Sequence, residues 1–592
     1  PLVELSTWTP TKKNVISETS HGWLVRLKYK QTIVNLGKYE VRVLEGVIIL
    51  YGAILRPLHG FQRVFAPSTH ALPVIQCVSP YGAELEIKSC EDTISRLERL
   101  SPLYGRLWNA KENVELKPCR KRWSFANIHR LSDDPYKRPL YHLEVPSKWE
   151  QAINKICPLP SKPVPRVMAC GPKSTGKSTF SRLIANRLLT MTREAHESID
   201  SVYLLDLDPG QPEFSPAGQV SLVEMHQPNY NPPFLHPSAH QPFATPLRAH
   251  FIGSNSPKEN PDHYVDCALD LVNHYRAVIK KEKRRSPLVV NAPGWTVGTG
   301  LQILLQLLKL LDLSDIVYTT EDSSRTLDAL EENGKAYKLH IIPSQPSGYA
   351  ARTAGELREM QMLSYFHQEA VEDVESCPRW DMTPLSSRVP YVVNYGLDEP
   401  DILGIITMGE TIQSALLPTI LDGSVVGIVE VDDDDTRFSA STFTRNAEGG
   451  NLPYLSSEDT GSTEPLNPRN SRLISLALVR GIDAANQSLH VIVPPTNDTL
   501  MAQLEPQKTV LVLGSLDIPG WAYTEDMHLE TSRNGMLKQR EQGADGSFDE
   551  DISMEGVDDG RGKVKPAPWV QTVTGEGSGI MGMKRRLRRF QN

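Results

Sequence analysis

Three patterns of hydrophobic and polar positions follow one another along the chain. Early on, Trp23-Leu-Val-Arg-Leu-Lys-Tyr29 and Tyr39-Glu-Val-Arg-Val-Leu44 alternate, while Gly46-Val-Ile-Ile-Leu-Tyr-Gly52 is a continuous apolar run closed by glycines. Alternation at period two puts every second side chain on one face, so these runs predict strands, with turn signals between them. Residues 1–150 are therefore expected to form an N-terminal β domain, a small sandwich or barrel. Asp133 to Val164, rich in proline and charge, reads as the passage into the next domain.

Over 160–400 the pattern changes to short apolar runs separated by helical periodicity. Pro165-Arg-Val-Met-Ala-Cys170, Val202-Tyr-Leu-Leu-Asp-Leu-Asp208, Ser286-Pro-Leu-Val-Val-Asn-Ala292 and Asp315-Ile-Val-Tyr318 are of the buried parallel-strand kind. Phe180 to Leu189, Tyr264 to Lys281 and Leu301 to Leu311 carry apolar residues at helical spacing. Such alternation predicts a mostly parallel, doubly wound α/β sheet with ligands at the carboxyl ends of its strands. A stretch from about 225 to 250, dense in Pro and His, reads as an ordered irregular loop. Its His226, His236, His240 and His250 lack the spacing of metal ligands.

Strand-like runs return in 401–592, predicting a C-terminal β-rich domain: Ile402-Leu-Gly-Ile-Ile406, Gly423-Ser-Val-Val-Gly-Ile-Val-Glu430, Leu473-Ile-Ser-Leu-Ala-Leu-Val479, His490-Val-Ile-Val493 and Lys508-Thr-Val-Leu-Val-Leu513. Acidic stretches at Asp432 to Asp435 and Glu541 to Asp559 interrupt it and read as solvated and mobile. Met583-Lys-Arg-Arg-Leu-Arg-Arg-Phe590 is a basic tail.

Composition narrows this little. The 592 residues are 39% hydrophobic and 23% charged, as in an ordinary soluble chain. A net charge of −8 excludes a wholesale nucleic-acid coat and confines any such contact to local basic patches. Seven scattered cysteines without a C-x-x-C pair read as reduced intracellular thiols rather than a disulfide framework or zinc site. No signal peptide or membrane-spanning run is apparent. Because the chain starts at Pro1, a preceding segment is expected.

The chemistry concentrates where the pattern is α/β. Gly171-Pro-Lys-Ser-Thr-Gly-Lys-Ser178 fits G-x-x-x-x-G-K-[ST], between a predicted strand and a predicted helix. That spacing lets backbone N–H groups cradle phosphates, sends Lys177 to the β- and γ-phosphates and offers the Ser178 hydroxyl to Mg²⁺. Asp206-Leu-Asp-Pro-Gly-Gln211 follows the next strand. Its two aspartates, taken to face one side of that strand, can divide metal holding and orientation or deprotonation of an incoming hydroxyl. Asn291-Ala-Pro-Gly-Trp295 offers exposed N–H groups and an indole for stacking. Asn291 stands where the D-x-x-G switch of GTPases has Asp, and no N-K-x-D motif occurs; both argue against a GTPase. Arg352 and Arg358, near the start of an apparent helix, can either cover a γ-phosphate or stay solvated.

Together these segments resemble the polynucleotide 5′-hydroxyl-kinase family, most closely its fungal nucleolar branch in pre-ribosomal RNA processing. Phe251-Ile-Gly-Ser-Asn-Ser-Pro257 and Leu357-Arg-Glu-Met-Gln-Met-Leu-Ser-Tyr-Phe-His367 add to the likeness. The resemblance implies an α/β P-loop kinase core between N- and C-terminal β domains, and transfer of the ATP γ-phosphate to a 5′-OH end of RNA. It implies a nucleotide cradle of Gly171, Pro172, Lys173, Ser174, Thr175, Gly176, Lys177, Ser178 and Thr179. Mg²⁺ would be held by Ser178, Asp206 and Asp208, with Asp208 acting on the 5′-OH. Gln211 and the clasp Ala292, Pro293, Gly294 and Trp295 would hold substrate, although Ala292 replaces the more usual Thr. Arg352 and Arg358 would form the lid. The branch works with an endoribonuclease that cuts a pre-rRNA spacer and leaves the 5′-OH end, which implies a nuclear, nucleolar protein. The basic tail, with Pro568-Trp569, would dock on that nuclease or else serve as a localisation or RNA contact. Two rivals stay open: the related kinase of messenger-RNA 3′-end cleavage or transfer-RNA splicing, and an ATP-binding scaffold without catalysis.

Overall fold

The computed structural model describes residues 4–543 except 110–122, 158–163, 192–198, 239–242, 283–285, 321–324, 333–336, 346–350, 371–377, 410–411, 433–441, 446, 448–449 and 456–465. The chain divides into units 1–530 and 531–592. Of the second, residues 531–543 are described and are helical. The basic tail and Pro568-Trp569 lie outside the described residues.

In the first unit the described strands form three sheets, of nine, seven and eight strands. The N-terminal sheet is built around Thr32–Glu45, a 14-residue strand that pairs with four others, and all its pairings are antiparallel. The Gly46–Gly52 run holds only Ile48–Leu50 as strand before a turn through Tyr51 and Gly52, both at positive φ, into Ala53–Leu55.

The central sheet contains β1 (Arg166–Cys170), β2 (Val202–Asp206), β3 (Gln219–Met225), β4 (Ala244–Phe251), β5 (Leu288–Asn291), β6 (Asp315–Thr319) and β7 (Lys338–Ile342) in the order 4-3-2-5-1-6-7. β2, β5, β1, β6 and β7 are parallel neighbours, and β3 and β4 extend the sheet antiparallel. The apolar runs sort their residues by parity. Met168, Tyr203, Leu205, Val290 and Ile316 face one core, with α3 (Pro261–Glu282) and α4 (Thr299–Leu311). Val167, Ala169, Leu204, Val289 and Val317 face the other, with α1 (Ser147–Ile156) and α2 (Lys177–Thr190). Both faces are covered, which explains runs without polar alternation. Helix α2 lies between this sheet and the N-terminal one, so ten of its 14 residues are buried and it shows little amphipathic contrast.

Two expectations are corrected. The 225–250 stretch is not a loop throughout, because β4 begins at Ala244 and pairs with β3. The passage Asp133–Val164 contains α1, whose Trp149, Ala152, Ile153 and Ile156 form a buried stripe. Charge on its outer face and the prolines that flank it in sequence hid that periodicity. The C-terminal sheet is mixed and includes Val425–Val431, Ser471–Asp483 and Thr509–Leu513. Helix α5 (Ala354–His367) is buried on its last two turns. The five described cysteines are free and buried. No helix among the described residues is long and apolar enough to cross a membrane.

Candidate active site

The loop from β1 into α2 is made by residues that leave no room for alternatives. Gly171 sits at φ 145° and Gly176 at φ 96°, while Ser174 takes φ 62°. A Cβ on Gly171 would fall 2.2 Å from Thr319 Oγ1, and one on Gly176 would fall 2.8 Å from the Trp149 ring. The loop is thus wedged between the end of β6 and α1. Thr175 Oγ1 donates to the Pro172 carbonyl over 2.9 Å and shares a 2.6 Å hydrogen bond with Thr319 Oγ1. Successive amides in such a curl form an anion nest at the N-terminus of α2. Lys177 Nζ donates to the same Pro172 carbonyl over 2.7 Å. Burial lowers its pKa, and the Asp208 charge opposes that shift.

Across from the loop, parallel register sets Asp206 of β2 beside Asn291 of β5. Asp206 is 1% exposed and saturated: Oδ2 accepts the Glu213 N–H over 2.6 Å, and Oδ1 accepts Asn291 Nδ2 over 3.0 Å. Burial is the main cause that pushes its pKa up to about 7. Asn291 Oδ1 in turn accepts from Ser178 Oγ over 3.2 Å, so Asp206 reaches the P-loop hydroxyl through an amide. Asp208 is placed differently. The strand ends at Asp206, which corrects the expectation of two carboxylates on one strand face. Asp208 belongs to the turn, its Oδ1 accepts the Gly210 N–H over 3.0 Å, and it lines the cleft. Burial raises its pKa, with that N–H and Lys177 opposing.

The cleft measures about 380 Å³. Its walls include Lys173, Ser174, Gly176, Lys177, Ser178 and Thr179 from the P-loop, then Asp208, Gln211, Pro293, Gly294, Trp295 and Arg358. Gly171, Pro172 and Thr175 shape the loop from behind. Ala292 is not on the wall; its side chain is buried, so Pro293 to Trp295 alone face the cavity. The two arginines separate. Arg358 joins the cleft, whereas Arg352 donates from Nη2 to the Leu103 carbonyl over 2.9 Å and does not line it. Lys173, Lys177 and Arg358 against Asp208 leave the cleft positive, which suits polyphosphate.

Several contributors lie outside the expected site residues, Asn255 within a segment that added only to the likeness. Asn255 and Gln345 line the cleft, and Trp149 backs Gly176. Behind the Asp206 turn, Arg182 Nη2 holds both oxygens of Glu213 at 2.8 Å, and His236 Nε2 lies 2.9 Å from Oε1. Burial pushes Glu213 up, but Arg182 and His236 outweigh it and hold the pKa at about 2. The glutamate whose amide secures Asp206 is therefore itself fixed as a carboxylate. His236 and His250 are engaged with Glu213 and Asp270, and among the described residues no His, Cys, Asp and Glu cluster could hold a metal ion. The donor set near the P-loop is of another kind. A hydroxyl and carboxylates are hard oxygen ligands, which fit magnesium beside bound phosphates.

A family model described as the P-loop of the mRNA cleavage and polyadenylation factor CLP1 matches residues 171–368. A protein of Aspergillus oryzae named polynucleotide 5′-hydroxyl-kinase grc3 is 38% identical, over 87% of this chain and 69% of its own length. Its namesake from Gibberella zeae is 33% identical, over 97% of this chain and 81% of its own. Among solved structures, a Clp1p–Pcf11p complex overlaps 85% of this chain and 99% of its own at a TM-score of 0.48 and 14% identity, too loose a likeness to carry an argument.

Proposed function

Since the chain belongs to the polynucleotide 5′-hydroxyl-kinase family of the fungal grc3 proteins, we propose that it transfers the γ-phosphoryl group of ATP to the 5′-hydroxyl of RNA. The observation that carries this reading is Asp208 and Lys177 on the wall of one positive cleft, with the Pro293–Trp295 turn beside the P-loop. In the proposed reaction the P-loop amides bind the nucleotide phosphates, and Lys177 exchanges the Pro172 carbonyl for phosphate oxygen. Magnesium, for which Ser178 and Asp208 supply direct donors and Asp206 acts through Asn291, would when bound offset phosphate charge. Asp208 takes the 5′-OH proton as the new O–P bond forms and the β–γ bridge bond breaks, releasing ADP. Burial raises its affinity for that proton, and the Gly210 hydrogen bond opposes that shift. Gln211 and Trp295 position the acceptor, and Arg358 offsets charge on the transferring group.

We also propose a finer role: phosphorylation of the 5′-OH end of cleaved pre-rRNA spacer, in the nucleolus and in complex with the cutting endoribonuclease. The motif likeness and the basic Lys584 to Phe590 segment support it. Labelled γ-phosphate should pass to a 5′-OH oligoribonucleotide with wild type and not with Lys177→Ala. Co-purification with the candidate nuclease should be lost when residues after Trp569 are removed; full retained affinity would remove tail docking.

A further inference from the structure

Arg358 does not stand alone on the cleft rim. Its Nε and Nη2 donate to Oδ2 of Asp517 over 3.2 and 3.1 Å, and the same oxygen accepts Asn255 Nδ2 over 2.9 Å. Asp517 comes from far along the chain, in the segment that leaves Thr509–Leu513 of the C-terminal sheet. That segment is held on the kinase core by fixed contacts. A Cβ on Gly514 would lie 2.3 Å from the Gly253 carbonyl, which accepts the Ser515 N–H over 2.7 Å. Gly253 itself sits at φ 70°. Ser515 Oγ hydrogen-bonds Glu259, and Leu516 fills the space that a Cβ on Gly218 would need. Two glycines thus let backbones touch, and the next residues lock the carboxylate in place.

We propose that Asp517 is a positioning residue for phosphoryl transfer, supplied by the C-terminal sheet region, that orients the guanidinium of Arg358. The carboxylate occupies the Nε–Nη2 edge and leaves Nη1 for a phosphate oxygen. A guanidinium on a long stem gains much from being pre-oriented, because little further freedom is lost when it meets the transferring group. The Asp517 side chain is 67% exposed, so the pair is screened by solvent and its effect is modest. This inference rests on the reading of Arg358 as the arginine of the transfer step.

The test is steady-state transfer to a 5′-OH oligoribonucleotide by the full chain, comparing wild type, Asp517→Asn, Arg358→Ala and the double variant. Asp517→Asn keeps size and should fold, which thermal unfolding checks. It should lower kcat about two- to fivefold while KM for ATP stays within about twofold. In the Arg358→Ala background the Asp517 change should add nothing. The wild-type to Asp517→Asn difference should also shrink at about 0.5 M salt. Wild-type kcat in Asp517→Asn, or losses that multiply in the double variant, would overturn the proposal while leaving the kinase reading intact. Wild-type kcat in Arg358→Ala would remove both the arginine assignment and this inference. Absence of transfer by wild type would instead strike the kinase reading itself.

Discussion

Asn291 donates from Nδ2 to Oδ1 of the fully buried Asp206 over 3.0 Å, across two parallel strands held in register. The relationship explains why an amide serves where a GTPase switch would carry a carboxylate. The carboxylate is on the neighbouring strand, and Asn291 relays it to Ser178. Asn291→Ala should cost about 1–3 kcal/mol by leaving a buried oxygen short of a partner. Asn291→Asp should cost more, since two carboxylates would then share the site. Denaturant unfolding ranks the three proteins; equal stability of the Asp variant and wild type would refute the relay.

Gly294 approaches the P-loop so closely that a Cβ there would lie 2.6 Å from Lys173 Cγ and 2.9 Å from its Cα. The second contact is backbone, which cannot rotate away. Gly294→Ala should displace the loop at a cost of about 1–3 kcal/mol, appearing as a roughly fivefold or greater loss of nucleotide affinity by titration calorimetry. Unchanged affinity would mean that the clasp and the loop move independently.

Trp149 supports the P-loop from behind, with its ring edge-on to Phe180 at 5.3 Å and Nε1 donating to the Pro343 carbonyl over 2.7 Å. Trp149→Ala should destabilise by about 3–5 kcal/mol, since a fully buried indole is removed. Trp149→Phe should keep most packing and lose about 1 kcal/mol with the hydrogen bond. Thermal unfolding of both variants separates packing from polar contribution.

His263 predicts a pH dependence of stability. Burial lowers its pKa to about 4, the Phe251 carbonyl opposes this, and the charge of His250 adds to it; the Cys267 thiol also faces it. The folded pKa lies below the unfolded value of roughly 6.5. Its contribution is therefore complete above about pH 6.5 and is lost as pH falls toward 4. The slope from this one group is at most about 1.4 kcal/mol per pH unit. His263→Gln, which keeps a donor for the carbonyl, should flatten unfolding curves across that window. An identical slope would assign acid sensitivity elsewhere.

How much of this was legible depends on the range of the interaction. The P-loop, the strand before it and the buried parallel runs announce themselves locally, because spacing and continuous apolar character report backbone geometry directly. The α1 helix was hidden because four buried residues sit among proline and charge. β4 was hidden because Pro246 and the histidines masked an edge strand. The division between Asp206 and Asp208 was beyond period-two reasoning, since the strand stops at the first of them. Arg352 and Arg358 look alike in sequence, yet tertiary partners separate them: the Leu103 carbonyl takes one and Asp517 the other. Contacts across 159 positions, such as Arg358 with Asp517, leave no mark in a single sequence.

The most direct test of the account is single-turnover transfer of labelled γ-phosphate from ATP to a 5′-OH oligoribonucleotide, with wild type, Lys177→Ala and Asp208→Asn under saturating magnesium. Wild type should transfer label. Asp208→Asn should bind nucleotide yet transfer about 10²–10⁴-fold more slowly, as expected for loss of a general base. Lys177→Ala should lose both affinity and rate. Nucleotide binding without transfer by wild type, or wild-type rates in Asp208→Asn, would contradict the account.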